Sequence, residues 1–139
     1  AEFSKACHTL ITESAQVFAE DRTLASIQEA REQFKAEGQL ERLERYHGEK
    51  ARWVLEAWTE TWLHPGFATW SLDSVLPRVI CPVLAIHGIH DEYGTVYHPE
   101  RIAELAQGPS RCEILADTYH VPHRECPQTV VNLVRNFIA

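Results

Sequence analysis

Apolar residues follow two different spacings along the chain, and the change from one to the other divides it into segments. Residues 8–14 are a short β-prone run, which predicts a buried strand. From about residue 22 to residue 64 the apolar positions recur at helical spacing. After Pro77, short continuous apolar runs alternate with helical patterns. The pattern therefore predicts a helical insertion between one strand and an alternating strand–helix unit.

Three helices are predicted in the insertion, each followed by residues that favour helix termination. They cover residues 24–34, 40–47 and 53–62, and are followed by Gly38, Gly48 and Pro65-Gly66. One further turn is predicted over residues 73–76. These boundaries come from apolar spacing and from glycine and proline positions alone.

The part after Pro77 predicts two strands and two helices in alternation. The strands are placed at 83–86 and 112–116, and the helices at 99–107 and 127–138. The inner face of the last helix is predicted to consist of Val130, Val131, Leu133, Val134 and Phe137. Continuous apolar strands joined by helices favour parallel pairing with right-handed crossovers. We therefore predict an α/β chain with a small parallel sheet of about three strands, flanked by helices.

These patterns divide the chain into three predicted regions: a first core strand and connection at 1–19, the helical insertion at 20–76, and a C-terminal core unit at 77–139.

The total of 139 residues fits one domain of ordinary size. The net charge of −7 argues against a nucleic-acid partner, because phosphate binding requires a basic face.

The cysteines and the apolar runs bear on the setting of the chain. None of the four cysteines, Cys7, Cys81, Cys112 and Cys126, forms a C-x-x-C pair, which argues against a structural zinc site and favours reduced thiols. No run approaches bilayer-spanning length, and the first residues lack the apolar core of a secretion signal. We expect a cytoplasmic protein without membrane contact.

Two predicted strands end near side chains that could act together. Asp91 follows the strand at 83–86, and His120 follows the strand at 112–116. Ligands bind beyond the carboxyl ends of parallel strands, so both groups are expected at one edge of the sheet. An imidazole titrates near neutral pH and can accept a proton from a nucleophile, and a carboxylate behind it fixes its tautomer. The order of these residues, an acid after one strand and a histidine after the next, predicts an acid–base pair.

The stretch from about Ile80 to the C-terminus resembles the last part of an α/β-hydrolase-fold protein. Family members have a strand that begins Cys-Pro-Val-Leu and ends in Gly-x-x-Asp, then a strand followed by Gly-His, often Pro-His, a proline and a final helix. This chain has Cys81-Pro-Val-Leu, Gly88-Ile-His-Asp91 and Tyr119-His120-Val-Pro-His123-Arg-Glu-Cys-Pro127. The upstream helices resemble the cap that many members insert. Tyr119 departs from the family's glycine, and we expect it to crowd a tight turn.

The resemblance implies a hydrolase of small ester, amide or related substrates, with Asp91 as the orienting acid and His120 as the general base. It implies no cofactor. The family's Gly-x-Ser-x-Gly nucleophile elbow does not occur in the 139 residues. The serine least unlike such a nucleophile is Ser14, but its surroundings lack the glycines. We therefore expect the nucleophile to come from elsewhere and the chain alone to be inactive.

Other side chains are given weaker roles. Trp58 and Trp62 are candidates for contact with an apolar substrate, although core packing is the commoner use of such residues. His123 is interpreted as structural or solvated rather than catalytic. Glu13 could form a hydrogen bond near the site, but a salt bridge or solvent exposure is the favoured interpretation. His87, His90 and His98 lie near Asp91 in sequence but do not match a metal-ligand pattern, so no metal site is predicted.

Two rival interpretations remain open from the sequence. The first is a non-catalytic interaction module derived from a hydrolase. In that case the strand at 8–14 would have an exposed edge, and we expect a homo-oligomer or association with a separate N-terminal portion. The second is a metal-binding domain built on the histidines.

Overall fold

The computed structural model describes residues 6–139, so the first five residues of the predicted region 1–19 lie outside the described residues. Residues 6–139 contain three strands: β1 (Leu10–Glu13), β2 (Val83–Gly88) and β3 (Ser110–Leu115). The α-helices in the same residues are α1 (Asp21–Gln33), α2 (Gln39–His47), α3 (Ala51–Trp62), α4 (Tyr97–Leu105), α5 (Pro122–Glu125) and α6 (Pro127–Ile138). Short 3₁₀ turns occur at Gly48–Lys50, Pro65–Phe67 and Leu76–Arg78.

The three strands form one parallel sheet in the order β1-β2-β3. Leu10 pairs with Val83 at one end of the first ladder, and Val83 in turn pairs with Ser110. Among the described residues β2 is the central strand and β1 lies at an edge. The predicted α/β class, with a small parallel sheet of about three strands flanked by helices, is confirmed.

Strand β2 is apolar from Val83 to Ile86, as expected for a strand that helices cover on both faces. All six of its residues are buried. Val83 and Ala85 point to a core that includes Ile102 of α4 and Val79, whereas Leu84 and Ile86 point to the opposite face. This alternation places α4 and α6 on opposite sides of the sheet. Functional groups can then lie at the C-terminal end of β2.

Helix α6 has the predicted bounds and covers the second face of the sheet. Val130, Leu133, Val134 and Phe137 pack against Leu84, Ile86 and Leu115. Val131 was predicted to belong to this inner face, but that prediction is wrong, because its side chain is 48% exposed. One residue along a helix turns by about 100°, which directs Val131 away from the stripe that Val130 begins.

The described residues fold into two compact units, one of residues 6–18 together with 71–139, the other of residues 19–70. The first unit contains the sheet, α4, α5 and α6. The second contains α1, α2 and α3, with Ile27, Ala30 and Ala51 among its buried residues. The segment 71–76 lies with the sheet unit, and its turn continues into the 3₁₀ turn Leu76–Arg78. No helix in residues 6–139 combines the length and the apolar character that crossing a membrane requires.

Candidate functional site

Asp91 lies in the loop that follows β2, and the backbone there holds its carboxylate in place. The side chain is fully buried. Its Oδ1 atom accepts N–H bonds from Tyr93 at 2.8 Å and from Gly94 at 3.2 Å. Such local acceptance is characteristic of an aspartate turn, and here it fixes the carboxylate in a buried position. The buried charge is compensated by hydrogen bonds, as buried carboxylates require.

His120 lies in the loop after β3, and its ring contacts that carboxylate. The His120 Nδ1–H group donates to Asp91 Oδ1 at 3.0 Å and to Oδ2 at 2.9 Å. With the proton on Nδ1, the Nε2 atom of the neutral ring carries the lone pair. The His120 side chain is 33% exposed, whereas Asp91 is inaccessible. The structure thus brings the predicted acid and base together, with the histidine as the accessible member.

The two partners change each other's proton affinity. Burial alone would raise the pKa of Asp91, but hydrogen bonds from His120 and from the Tyr93 N–H, with the nearby His120 and His87 charges, hold this pKa below its ordinary value. Burial alone would lower the pKa of His120, but the hydrogen bond and charge of Asp91, with Glu92 and Glu125, raise it above its ordinary value. The pair therefore favours an ionised acid beside a readily protonated imidazole.

Gly88 allows the two strand ends to approach each other. A Cβ atom at Gly88 would lie far inside van der Waals contact with the carbonyl oxygens of Thr118 and Tyr119. The approach is fastened by His90 N–H, which donates to the Thr118 carbonyl at 3.0 Å. The glycine of the Gly-x-x-Asp sequence thus has a steric reason, because any side chain there would push the histidine loop away.

The turn before His120 accommodates a tyrosine without strain. We expected Tyr119 to crowd this turn, because the α/β-hydrolase family that the sequence resembles has glycine there. Among the described non-glycine residues a positive φ occurs at Ser14 and at Asp117, so the left-handed conformation of this loop lies two residues before Tyr119. The Tyr119 side chain is 54% exposed, with its ring 5.6 Å from that of His90. The predicted crowding is wrong.

A second imidazole, that of His87, also approaches Asp91. From the sequence, His87 was considered only as a candidate metal ligand. His87 is fully buried, and its Nε2–H donates to the Gly94 carbonyl at 3.1 Å while lying 3.4 Å from Asp91 Oδ2. His98 is also buried, and its Nδ1 accepts the Val17 N–H at 3.2 Å. Within residues 6–139 no group of three or more His, Cys, Asp or Glu residues is arranged to hold a metal ion.

Two further acids, Glu125 and Glu13, accept hydrogen bonds from the loop that carries His120. These contacts were not predicted from the sequence. Glu125 accepts the backbone N–H groups of Tyr119 at 2.6 Å and of Val121 at 2.9 Å. Glu13 accepts the backbone N–H of His123 and lies 3.0 Å from its Nδ1. Both acids belong to elements that end beside this loop. Only the fold places Glu13 there, since 110 positions separate it from His123.

Ser14 comes directly after β1 but does not have the setting of a nucleophile elbow. Its φ of 47° is left-handed, and its N–H donates to the Ile86 carbonyl at 2.9 Å. The residue is only 7% exposed, and no helix of the described chain begins between it and Asp21. An elbow requires an exposed hydroxyl on a strand–turn–helix junction, so this position lacks both requirements.

Trp58 and Trp62 lie on α3 in the helical unit. The Trp62 ring packs edge-on against Phe67 at 5.1 Å and against Trp70 at 5.5 Å. Both tryptophans are partly buried. The same unit has a cleft of about 580 Å³ whose lining includes Phe34, Leu40 and Leu55, and neither tryptophan belongs to that lining. Trp62 therefore has a packing role in this unit, and a substrate contact by either residue stays a prediction.

Comparison of the structure with solved structures identifies the fold. A hydrolase from Pseudomonas aeruginosa PA01 matches with a TM-score of 0.59 and 22% identity, covering 95% of this chain and 56% of that one. A thermophilic esterase from Thermogutta terrifontis matches with a TM-score of 0.58 and 19% identity, covering 99% and 57%. MGS-M2, an α/β hydrolase enzyme from a Medee basin deep-sea metagenome library, matches with a TM-score of 0.57 and 16% identity, covering 92% and 55%.

The chain has an α/β-hydrolase fold. The fold predicted from the Gly88–Asp91 and Tyr119–Pro127 motifs is thereby confirmed. The chain spans little more than half the length of each of these three structures. In sequence, no family model and no curated protein matches it.

Proposed function

We propose that this chain supplies the acid and the general base of an α/β-hydrolase-type enzyme whose nucleophile lies outside these 139 residues. The observation that carries the proposal is the bond from His120 Nδ1–H to both oxygens of the buried Asp91. This bond is the orienting half of a Ser-His-Asp arrangement, because it leaves the outer nitrogen of the ring free to accept a proton. Structural neighbours named as a hydrolase and an esterase lend support.

The proposed reaction is hydrolysis of a small ester or amide through an acyl-enzyme. His120 Nε2 removes the proton of a serine hydroxyl while the serine oxygen bonds to the carbonyl carbon. The ring then returns that proton to the leaving alkoxide or amine as the carbonyl–leaving-group bond breaks. Water repeats the two steps and releases the acid and the free serine. Asp91 stays ionised throughout and stabilises the imidazolium.

The serine is assigned to another portion because no serine of this chain fits the role. Ser14 is the least unlike a nucleophile, but it is buried and outside a strand–turn–helix junction. A serine-directed phosphonate added to the purified 139-residue chain tests the assignment, with intact-mass detection. We expect no adduct. An adduct that forms on the wild type and is lost in Ser14→Ala would overturn the assignment.

Substrate contact by Trp58 and Trp62 of α3 belongs to the same proposal. In an active assembly, Trp58→Ala should raise KM for esters with apolar acyl groups and leave KM for acetyl esters near the wild-type value. An equal change for both substrates would remove Trp58 from the substrate site.

A partner is proposed from the edge of the sheet. Within the described residues β1 pairs with β2 alone, and Ile11 of β1 is 37% exposed. An unpaired strand edge favours association. The partner is either a second copy of the chain or the portion that carries the nucleophile. Sedimentation at micromolar concentration should show a species heavier than the 15.9 kDa chain, and a clean monomer would count against self-association.

A non-catalytic interaction module is the second candidate function, and the same edge strand favours it. The two candidates differ in what His120 does. A module would keep its association after His120→Gln and would show no hydrolysis in any assembly, whereas the enzyme would lose its activity.

A cytoplasmic setting is part of both proposals and rests on the four cysteines, all of which are described and are free thiols.

A further inference from the structure

Three backbone N–H groups of the loop at 119–123, which runs into the first turn of α5, donate hydrogen bonds to carboxylates. Tyr119 N–H donates to Glu125 Oε2 at 2.6 Å, and Val121 N–H donates to Glu125 Oε1 at 2.9 Å. The His123 N–H donates to Glu13 Oε1. The first two donors are the residues on either side of His120. One carboxylate therefore holds the backbone on both sides of the residue whose ring contacts Asp91.

Ordinary helix capping accounts for only part of this arrangement. Val121 is the N-cap of α5, and a glutamate in the first turn of a helix commonly reaches back to the N-cap N–H. Glu125 does so, but its second oxygen extends two residues further, to Tyr119, which lies outside the helix. The additional bond is therefore made outside the four-residue helix, to the residue that precedes His120.

We propose that Glu125 is a positioning residue for His120: its two carboxylate oxygens hold the N–H groups of the residues on either side of His120 and so direct the His120 Nδ1–H toward Asp91. The catalytic meaning of this inference rests on the proposed function; the structural effect does not. A histidine that must accept and return a proton requires a fixed ring, because small displacements of a catalytic group cost large factors in rate.

Glu13 provides the second attachment of the same loop. Its oxygens lie 3.0 and 3.1 Å from His123 Nδ1, and one of them also accepts the His123 N–H. Glu13 is the last residue of β1, so this contact joins the loop to the far strand of the sheet. With Asp91 after β2, side chains from the ends of both other strands hold the loop that follows β3.

The test compares Glu125→Ala and Glu125→Gln with Glu100→Gln, an exposed position on α4 in the same unit. Alanine removes both acceptors, whereas the glutamine amide keeps one oxygen and replaces the other with a donor that cannot accept. Amide hydrogen exchange at Tyr119 and Val121 should accelerate about tenfold in Glu125→Ala, the factor that loss of one hydrogen bond produces. Glu100→Gln should leave both exchange rates unchanged.

The proton resonance of His120 Nδ1–H gives the second measurement. In the wild type it should be shifted far downfield and exchange slowly with water. In Glu125→Ala it should broaden or vanish at a pH where the wild type shows it. Glu125→Gln keeps the side-chain size and should give an intermediate result, which serves if the alanine variant does not fold. Wild-type exchange rates and an unchanged Nδ1–H resonance in both variants would overturn the inference.

A change in His120 pKa without a change in amide exchange would also overturn it, because that result would mean that Glu125 acts only through its charge. In an active assembly Glu125→Ala should lower kcat about tenfold or more with little change in KM. The exchange and resonance measurements use the chain alone. They therefore remain decisive if no hydrolysis is found, and failure of the proposed function is separated from failure of this inference.

Discussion

The Nδ1 atom of His120 lies 2.9 Å from Oδ2 of Asp91, although the two residues are 29 positions apart. The distance is set by three features of the backbone. Parallel pairing places the ends of β2 and β3 at one edge of the sheet. The N–H groups of Tyr93 and Gly94 fix the carboxylate, and Gly88 lets the histidine loop approach. Together they bring an acid and a base from separate strands into contact.

Replacing Asp91 with asparagine should lower the pKa of His120. The carboxylate raises that pKa through its hydrogen bond and its charge, which outweigh the opposing effect of burial. Asparagine keeps the shape of the side chain but removes the charge. Histidine ring resonances followed by NMR during a pH titration measure the change. Asp73→Asn is the matched control, since Asp73 pairs with Arg101 and should leave the His120 pKa unaltered. Equal His120 pKa values in the wild type and Asp91→Asn would refute the assigned partnership.

The stability that the pair contributes should depend on pH in a defined direction. His120 has a raised pKa in the folded chain, so its contribution is complete below the ordinary histidine pKa of about 6.5 and is lost as the pH rises through the folded value. Asp91 has a lowered pKa, so its contribution is present above about pH 3.9 and is lost as the pH falls through the folded value. The contribution is therefore largest between these two values, near about pH 5 to 6.

Urea unfolding of the wild type and His120→Gln at several pH values measures that contribution. The difference in free energy of unfolding between the two should shrink as the pH rises above about 6.5, because the unfolded histidine loses its charge first. A difference that grows with pH above neutrality would contradict the assigned pKa direction. Asp91→Asn should remove the fall in stability that the wild type shows as the pH rises above about 6.5, because the carboxylate that raises the His120 pKa is gone.

Replacing Gly88 with alanine should both destabilise the fold and disturb the site. The new methyl group would overlap the carbonyl oxygens of Thr118 and Tyr119, which are backbone atoms of the histidine loop. Overpacking of this kind costs on the order of 2 kcal/mol. Gly38→Ala is the control, because that site has open space and only its positive φ opposes a side chain, at about 1 kcal/mol. Only Gly88→Ala should alter the His120 ring resonances, and an unaltered His120 spectrum would show that Gly88 does not determine the approach.

Much of the sheet unit could be predicted from the sequence because its determinants are local. Continuous apolar runs identified β2, and the bounds of α6 followed from Pro127 and the apolar spacing. Asp91 and His120 could be singled out because each follows a strand, and parallel strands share an edge. The error at Val131 arose because five apolar residues were assigned to one face of the helix, of which four pack against the sheet.

The groups that hold His120 could not be predicted in the same way. Helix α5 was missed, because its four residues, which begin with Pro122, are too few to show a helical periodicity. Without it, Glu125 had no predicted geometry. A salt bridge was among the roles considered for Glu13, and a structural role among those for His123, but their contact with each other was not predicted, since 110 positions separate them. The buried His87 was considered only as a metal ligand, because the sequence does not show that its Nε2 faces Gly94 and Asp91.

The most direct test of the proposed function is ester hydrolysis by a polypeptide that joins these 139 residues to the coding sequence immediately upstream. That polypeptide should hydrolyse an activated ester, and His120→Gln should lower kcat by about a thousandfold or more with the fold retained. Glu100→Gln should match the wild type. Hydrolysis by His120→Gln within about tenfold of the wild-type kcat would contradict the assignment of His120 as the general base.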